Sequence, residues 1–182
     1  MREKPKCTKK AVIAKSRLFT IEEMHLEFSN GAQRVYERLK NQGHGAVLIV
    51  ALTPDESLIL VREYAAGTDC YELAFPKGII ERGESPEEAA NRELREETGY
   101  AAKNLNWIRS LTLAPGYFGA RMELIVAEGL YPSPLEGDEP EPPEVVKWPL
   151  NADQELLEKP DFTEARSIAA LFLVKEWLNK RK

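Results

Sequence analysis

Glu93, Glu96 and Glu97 stand at i, i+3 and i+4, so a helix through them gathers three carboxylates on one face. Near a helix C-terminus each also opposes the macrodipole, at a cost of roughly a few tenths of a kcal/mol. A hard divalent cation resolves that conflict. Oxygen ligands suit Mg²⁺ or Mn²⁺, ions that bind phosphates and keep several waters. The competing reading is a solvated, salt-bridged helix with Glu88 and Arg92 as an i, i+4 pair. It leaves the acid cluster and the glycines before it without a role.

The elements that must position these carboxylates can be read locally. Ser85 is a helix cap, Pro86 suits the first helical position, and Glu88 completes a capping box. Gly99 is the stop, so the helix is expected over about 86–97. Gly78 and Gly83 let the preceding loop fold back close to the acidic face. Upstream, 17–28 and 33–40 read as strands joined at Asn30-Gly31, a turn that tolerates positive φ at both positions. "GAVLIVAL", "LILVREY", "YELAF", "NWIRSLTLA", "RMELIVAEGL" and "VVKWPL" are further strands. "YPSPLEGDEPEPPE" (131–144) is a loop by its proline content. Helices close the chain over about 152–158 and 164–179, the latter with Ile168, Leu171, Phe172 and Lys175 at helical spacing. Trp107, Trp148 and Trp177 are expected as core anchors. The class is α+β, a mixed sheet with few helices.

Composition bounds the function. The 182 residues fit one domain with its own core and a small appended segment, and 43% are hydrophobic. With 25 basic and 30 acidic side chains well mixed, net charge is −5. No basic stripe exists for nucleic acid or an anionic membrane. A negative chain acting on negative substrates needs bound cations. Cys7 and Cys70 match no metal spacing and read as buried or idle thiols, consistent with a reducing compartment. His25 and His44 lack partners at ligand spacing. No apolar run is long enough for a signal segment or a membrane span. The expected location is cytoplasmic.

The stretch 78–100 resembles the Nudix box. The pattern consists of Gly78, Glu84, Arg92-Glu93-Leu94, Glu96-Glu97 and Gly99, with Tyr100 where a smaller aliphatic is usual. Further segments, among them "SRLFT", "LEFSNG", "YELAFPKG", "LAPGYF" and "FLVKEWL", are similar to the ADP-ribose pyrophosphatase-like group and to enzymes hydrolysing ADP compounds. The resemblance implies a Nudix fold, a mixed sheet sandwiched between helices with an N-terminal antiparallel hairpin extension. It implies residues 1–42 as a dimerisation region and 43–182 as the hydrolase domain.

The activity it implies is metal-dependent cleavage of a P–O–P bridge in ADP-ribose, NADH or diadenosine polyphosphates, giving AMP and a phosphorylated remainder. Glu93 and Glu97 are then metal ligands, Glu96 a supporting ligand or an acid behind them, and the Lys77 carbonyl a further ligand. Two or more Mg²⁺ or Mn²⁺ ions are implied, with Arg92 orienting the carboxylates. The general base is expected in the acidic loop, which offers Glu136, Asp138, Glu139, Glu141 and Glu144; Glu139 and Glu141 are favoured by their distance from the following strand. Phe19, Arg38 and Tyr117 are the candidates for adenine, the first two reaching across a homodimer. Pro115 and Tyr117 fit several ADP-containing substrates. Ala65 and Ala120 stand where strict ADP-ribose enzymes carry an arginine and a glutamate, so ribose recognition is expected to be looser, and Arg62 is left without an assigned role. The alternatives are a pyrophosphatase for another nucleotide sugar or a nucleoside triphosphate, and a non-catalytic nucleotide-binding module.

Overall fold

A computed structural model describes residues 3–40, 43, 45–137 and 140–181. The chain divides into two compact units, residues 1–43 with 112–121 and residues 44–111 with 122–182.

In the first unit three strands run antiparallel: β1 (Lys6–Lys15), β2 (Thr20–Glu27) and β3 (Gln33–Leu39). β2 and β3 are joined at Phe28–Ala32, where Gly31 alone has positive φ (+80°). The Asn30 carboxamide instead accepts from the Ala32 N–H at 3.1 Å. The expected turn with both residues left-handed is corrected to a longer loop with one. β1, with the pattern KCTKKAVIAK and almost wholly exposed, is an addition to the expected strands, because its apolar residues run together from Ala11 to Ala14 instead of alternating. Leu39 pairs with Phe118, and the Leu39 N–H donates to the Tyr117 carbonyl at 2.8 Å.

The second unit holds the core. β4 (Ala46–Leu52) lies between β5 (Ser57–Ala65), antiparallel, and β9 (Phe118–Pro132), parallel, which makes the sheet mixed. β6 (Cys70–Ala74) and β10 (Glu144–Pro149) pair with β5, β7 (Lys77–Ile79) with β4, and β8 (Tyr100–Ala114) with β9. β4 is apolar at every position because both of its faces are covered. Leu48, Val50 and Leu52 pack toward α2 (Asp153–Leu157) and α3 (Ala165–Asn179), in a cluster with Leu156, Leu171 and Val174. Val47, Ile49 and Ala51 pack toward α1 (Pro86–Thr98) through Ala89, Ala90 and Leu94. The result is a sheet between helices.

Two expectations about large side chains fail. Trp107 is 53% exposed and its indole N–H donates to Glu123 at 2.7 Å, whereas Trp148 and Trp177 do pack on the core. Phe172 is 54% exposed although Leu171 beside it is buried. Ser167, Ala170, Leu171 and Val174 form the buried face of α3, and Phe172, about 100° further round the helix than Leu171, falls outside it. Cys7 and Cys70 are free and exposed, so burial is excluded for both.

Candidate active site

α1 begins as its sequence dictates. The Ser85 hydroxyl accepts from the Glu88 N–H, the Glu88 carboxylate accepts from the Ser85 N–H, and Gly99 ends the helix at φ +77°. Its acidic face meets β7. Gly78 has no unusual φ; what it supplies is room. A Cβ there would lie 1.8 Å from Glu93 Cδ and 2.1 Å from both carboxylate oxygens.

Arg92 ties the acids together. Its guanidinium grips Glu84 through Nε (2.8 Å) and Nη2 (3.1 Å), donates from Nη1 to Glu93 (2.8 Å) and Glu96 (3.0 Å), and from Nη2 to the Ile79 carbonyl (2.8 Å). The paired carboxylates push its own pKa further up, and the hydrogen bond from Arg92 in turn lowers that of Glu84. The Glu88–Arg92 pair of the competing surface-helix reading does not form, since Glu88 is committed to the expected capping box. The planar fork reaches what a lysine could not.

Glu97 is 8% exposed, and its Oε2 accepts the Lys77 backbone N–H at 3.2 Å. Burial pushes its carboxyl up to about 8; the Lys77 charge opposes this, while Glu63 and Glu93 reinforce it. The Lys77 ammonium pairs with Glu63. Sequence reasoning missed Glu63; its only signal is a carboxylate on β5 shortly after a fully buried run.

Glu93, Glu96 and Glu97 line a cleft of about 520 Å³ with Lys77, Gly78 and Glu136. Among the described residues no three acidic, histidine or cysteine side chains are already arranged to hold an ion. The donor set nevertheless fits a hard cation. It is all carboxylate, the missing side chain at Gly78 admits the Glu93 carboxylate, and Glu97 is a buried acid whose hydrogen bond comes from a neutral backbone N–H.

The start of the acidic loop lies along the end of α1. The Arg95 guanidinium donates to the Ser133 carbonyl at 3.0 Å, the Leu135 N–H donates to the Arg95 carbonyl at 3.3 Å, and Gly137 sits against Glu96. Glu136 is thereby brought to the acidic cleft. Glu141 lies in a neighbouring cleft and accepts from the Tyr71 hydroxyl. Asp138, Glu139 and His44 fall outside the described residues. Glu144 pairs with Arg62, which also forks onto Asp161 at 3.1 and 2.9 Å, so Arg62 has a structural task.

The adenine candidates belong to the first unit. Phe19 (51%) and Tyr117 (60%) are exposed, and Arg38 pairs with Glu22 at 2.8 Å. His25 pairs with Glu23 at 2.8 Å.

Residues 5–38 match the NudE-type Nudix hydrolase N-terminal domain, and residues 43–172 match the NUDIX domain. The chain is 54% identical to the ADP compounds hydrolase NudE of Escherichia coli (strain K12), over 97% of this chain and 94% of the relative. It is 31% identical to an ADP-ribose pyrophosphatase of Bacillus subtilis (strain 168), over 97% of this chain and 100% of the relative. A crystal structure of an ADP compounds hydrolase superposes with a TM-score of 0.94 at 53% identity, covering 100% of this chain and 97% of that one. No helix among the described residues is long and apolar enough to cross a membrane. A NUDIX domain over most of the chain, an intact acidic helix and full-length similarity to a hydrolase together make this chain a member of the Nudix hydrolase family.

Proposed function

We propose that this enzyme hydrolyses the diphosphate bridge of ADP-containing compounds, with ADP-ribose, NADH and diadenosine polyphosphates as substrates, releasing AMP and the phosphorylated remainder. The observation that carries the reading is the convergence of Glu93, Glu96 and Glu97 on one cleft, with Gly78 leaving space at Glu93 and Glu97 buried as an acid. The names of the two relatives, an ADP compounds hydrolase and an ADP-ribose pyrophosphatase, support the substrate class.

Glu93 and Glu97, with Glu96 in support and the Lys77 carbonyl beside them, are the groups that would hold two or more Mg²⁺ or Mn²⁺ ions. Such ions, when bound, offset the charge of the diphosphate and acidify a water. Arg92 restrains Glu93 and Glu96 and anchors α1 to β7. The acidic loop supplies the general base. Glu139 and Glu141 are the residues favoured by sequence, and Glu136 is favoured by its place in the cleft. The base takes the proton as the water oxygen bonds to phosphorus and the bridging P–O bond breaks.

The reading extends to assembly. Residues 1–42 form the dimerisation region of a cytoplasmic homodimer, and 43–182 the hydrolase domain. Support comes from the N-terminal unit, where Val12, Ile13, Leu18, Phe19 and Val35 are all about half exposed or more. Phe19, Arg38 and Tyr117 are proposed to receive adenine. No nucleic acid or membrane partner is proposed.

The test is a panel of ADP-ribose, NADH, a diadenosine polyphosphate, other nucleotide sugars and nucleoside triphosphates, assayed for AMP with Mg²⁺ and with EDTA. Mg²⁺-dependent AMP from the ADP compounds is expected. Turnover confined to the other substrates would reject the substrate class, and nucleotide binding without turnover would favour a non-catalytic module.

A further inference from the structure

Beside the acidic cleft lies a second one of about 530 Å³, and nothing above assigns it a ligand. Pro142 and Pro143 line both this cleft and the space over Glu93, Glu96 and Glu97. Its wall is an aromatic pair. Tyr64 on β5 and Tyr71 on β6 are directly opposite in the antiparallel register, with ring centroids 5.8 Å apart and planes at 67°. Cross-strand aromatic pairs stabilise hairpins, yet each ring here is 52% exposed.

The polar groups of the cleft are already engaged. Arg62 is held between Glu144 and Asp161, and Glu63 pairs with Lys77. The Tyr64 hydroxyl donates to Asp69 at 2.7 Å and the Tyr71 hydroxyl donates to Glu141. With Glu63, Glu141 and Glu144 set against Arg62, a phosphate would be repelled. What the cleft offers a ligand is ring surface in a mildly acidic setting, which suits a flat, uncharged or cationic heteroaromatic ring.

We infer that Tyr71, backed by Tyr64, seats the planar ring of the substrate's second half, the ring that NADH and diadenosine polyphosphates carry and ADP-ribose lacks. The diphosphate then lies over Glu93, Glu96 and Glu97, and the second ring passes Pro142 and Pro143 to stack on Tyr71. This rests on the function proposed above and names the residue that selects among its substrates.

The test compares kcat/KM for NADH and ADP-ribose, with Mg²⁺, in the wild type, Tyr71→Ala and Tyr71→Phe. Stacking of one base contributes enough that its loss lowers the NADH to ADP-ribose ratio about tenfold in Tyr71→Ala, mainly through KM. Tyr71→Phe keeps the ring and loses only the bond to Glu141, so it restores the ratio. Two outcomes overturn the inference: a ratio unchanged in Tyr71→Ala, or Tyr71→Phe and Tyr71→Ala lowering both substrates alike, which would assign Tyr71 to positioning Glu141. Thermal melts of each variant, together with the Tyr64→Ala ratio, keep the result readable if Tyr71→Ala is unstable; an unchanged ratio in a folded Tyr64→Ala also counts against the seat. Absence of wild-type turnover on both substrates would sink the proposed function itself.

Discussion

Replacing Gly78 by alanine separates two reasons a glycine can be required. Its φ lies outside the left-handed region, so the backbone accepts a side chain. The new methyl, however, would sit 1.8 Å from Glu93 Cδ, and ordinary contact begins near 3.4 Å, so the carboxylate must retreat by at least 1.6 Å. Glu93 has three rotatable bonds to absorb that. An off-rotamer side chain and a weakened ion pair cost about 1 kcal/mol together, which lowers Tm by about 2–4 °C in a chain of this size. A displacement of that size at a catalytic group costs far more in rate, about 100-fold or above in kcat/KM. Gly83 is the converse. Its φ is +97°, and a methyl added there would meet nothing within 4 Å, so Gly83→Ala is expected to lose about 1 kcal/mol of stability and keep its turnover. AMP release from ADP-ribose, a Mg²⁺ titration and thermal melts on both variants read these effects. A Gly78→Ala enzyme within a few-fold of wild-type activity, or one that fails to fold, would refute the reasoning.

Three more outcomes are expected. Glu97→Gln loses far more kcat than Glu141→Gln while both remain folded; equal, small losses would remove Glu97 from the metal site. Burial raises Glu97 from 4.5 to about 8, so in that window the metal-free folded protein holds a proton that the unfolded chain releases. Its stability therefore falls as pH rises from about 5 to 8, by up to about 5 kcal/mol (roughly 3.5 pH units at about 1.4 kcal/mol each). Thermal melts in EDTA should record that slope and find it flattened in Glu97→Gln; the same steepness in the variant would contradict the assignment. Light scattering should give the mass of two chains, and truncation of residues 1–42 should abolish that mass; a monomeric full-length protein would exclude the dimer.

What the sequence discloses is what local rules control. The capping box at Ser85 and Glu88, the stop at Gly99 and the shared face of Glu93, Glu96 and Glu97 all follow from spacing along one helix. Close approach at Gly78 follows from its residue type, but its cause, space for Glu93, is visible only in three dimensions. β7 is three residues long and exists because it pairs with β4, so no periodicity announces it. β1 is hidden for a related reason, since pairing with β2 holds a strand whose apolar residues do not alternate with polar ones. The burial of Glu97 and the capture of Arg92 by Glu84, eight residues away, depend on how α1 meets β7. The Tyr64–Tyr71 wall depends on the register of β5 with β6. These are tertiary facts, and a single sequence carries no direct mark of them.

Hydrolysis of ADP-ribose in ¹⁸O-labelled water, with mass spectrometry of both products, tests the central claim most directly. Attack by water on a bridge phosphorus predicts AMP and ribose 5-phosphate, a single ¹⁸O in one of the two, and no reaction in EDTA. Products free of label, label incorporated with the divalent ions removed, or no AMP at all would contradict a metal-dependent cleavage of the diphosphate at Glu93, Glu96 and Glu97.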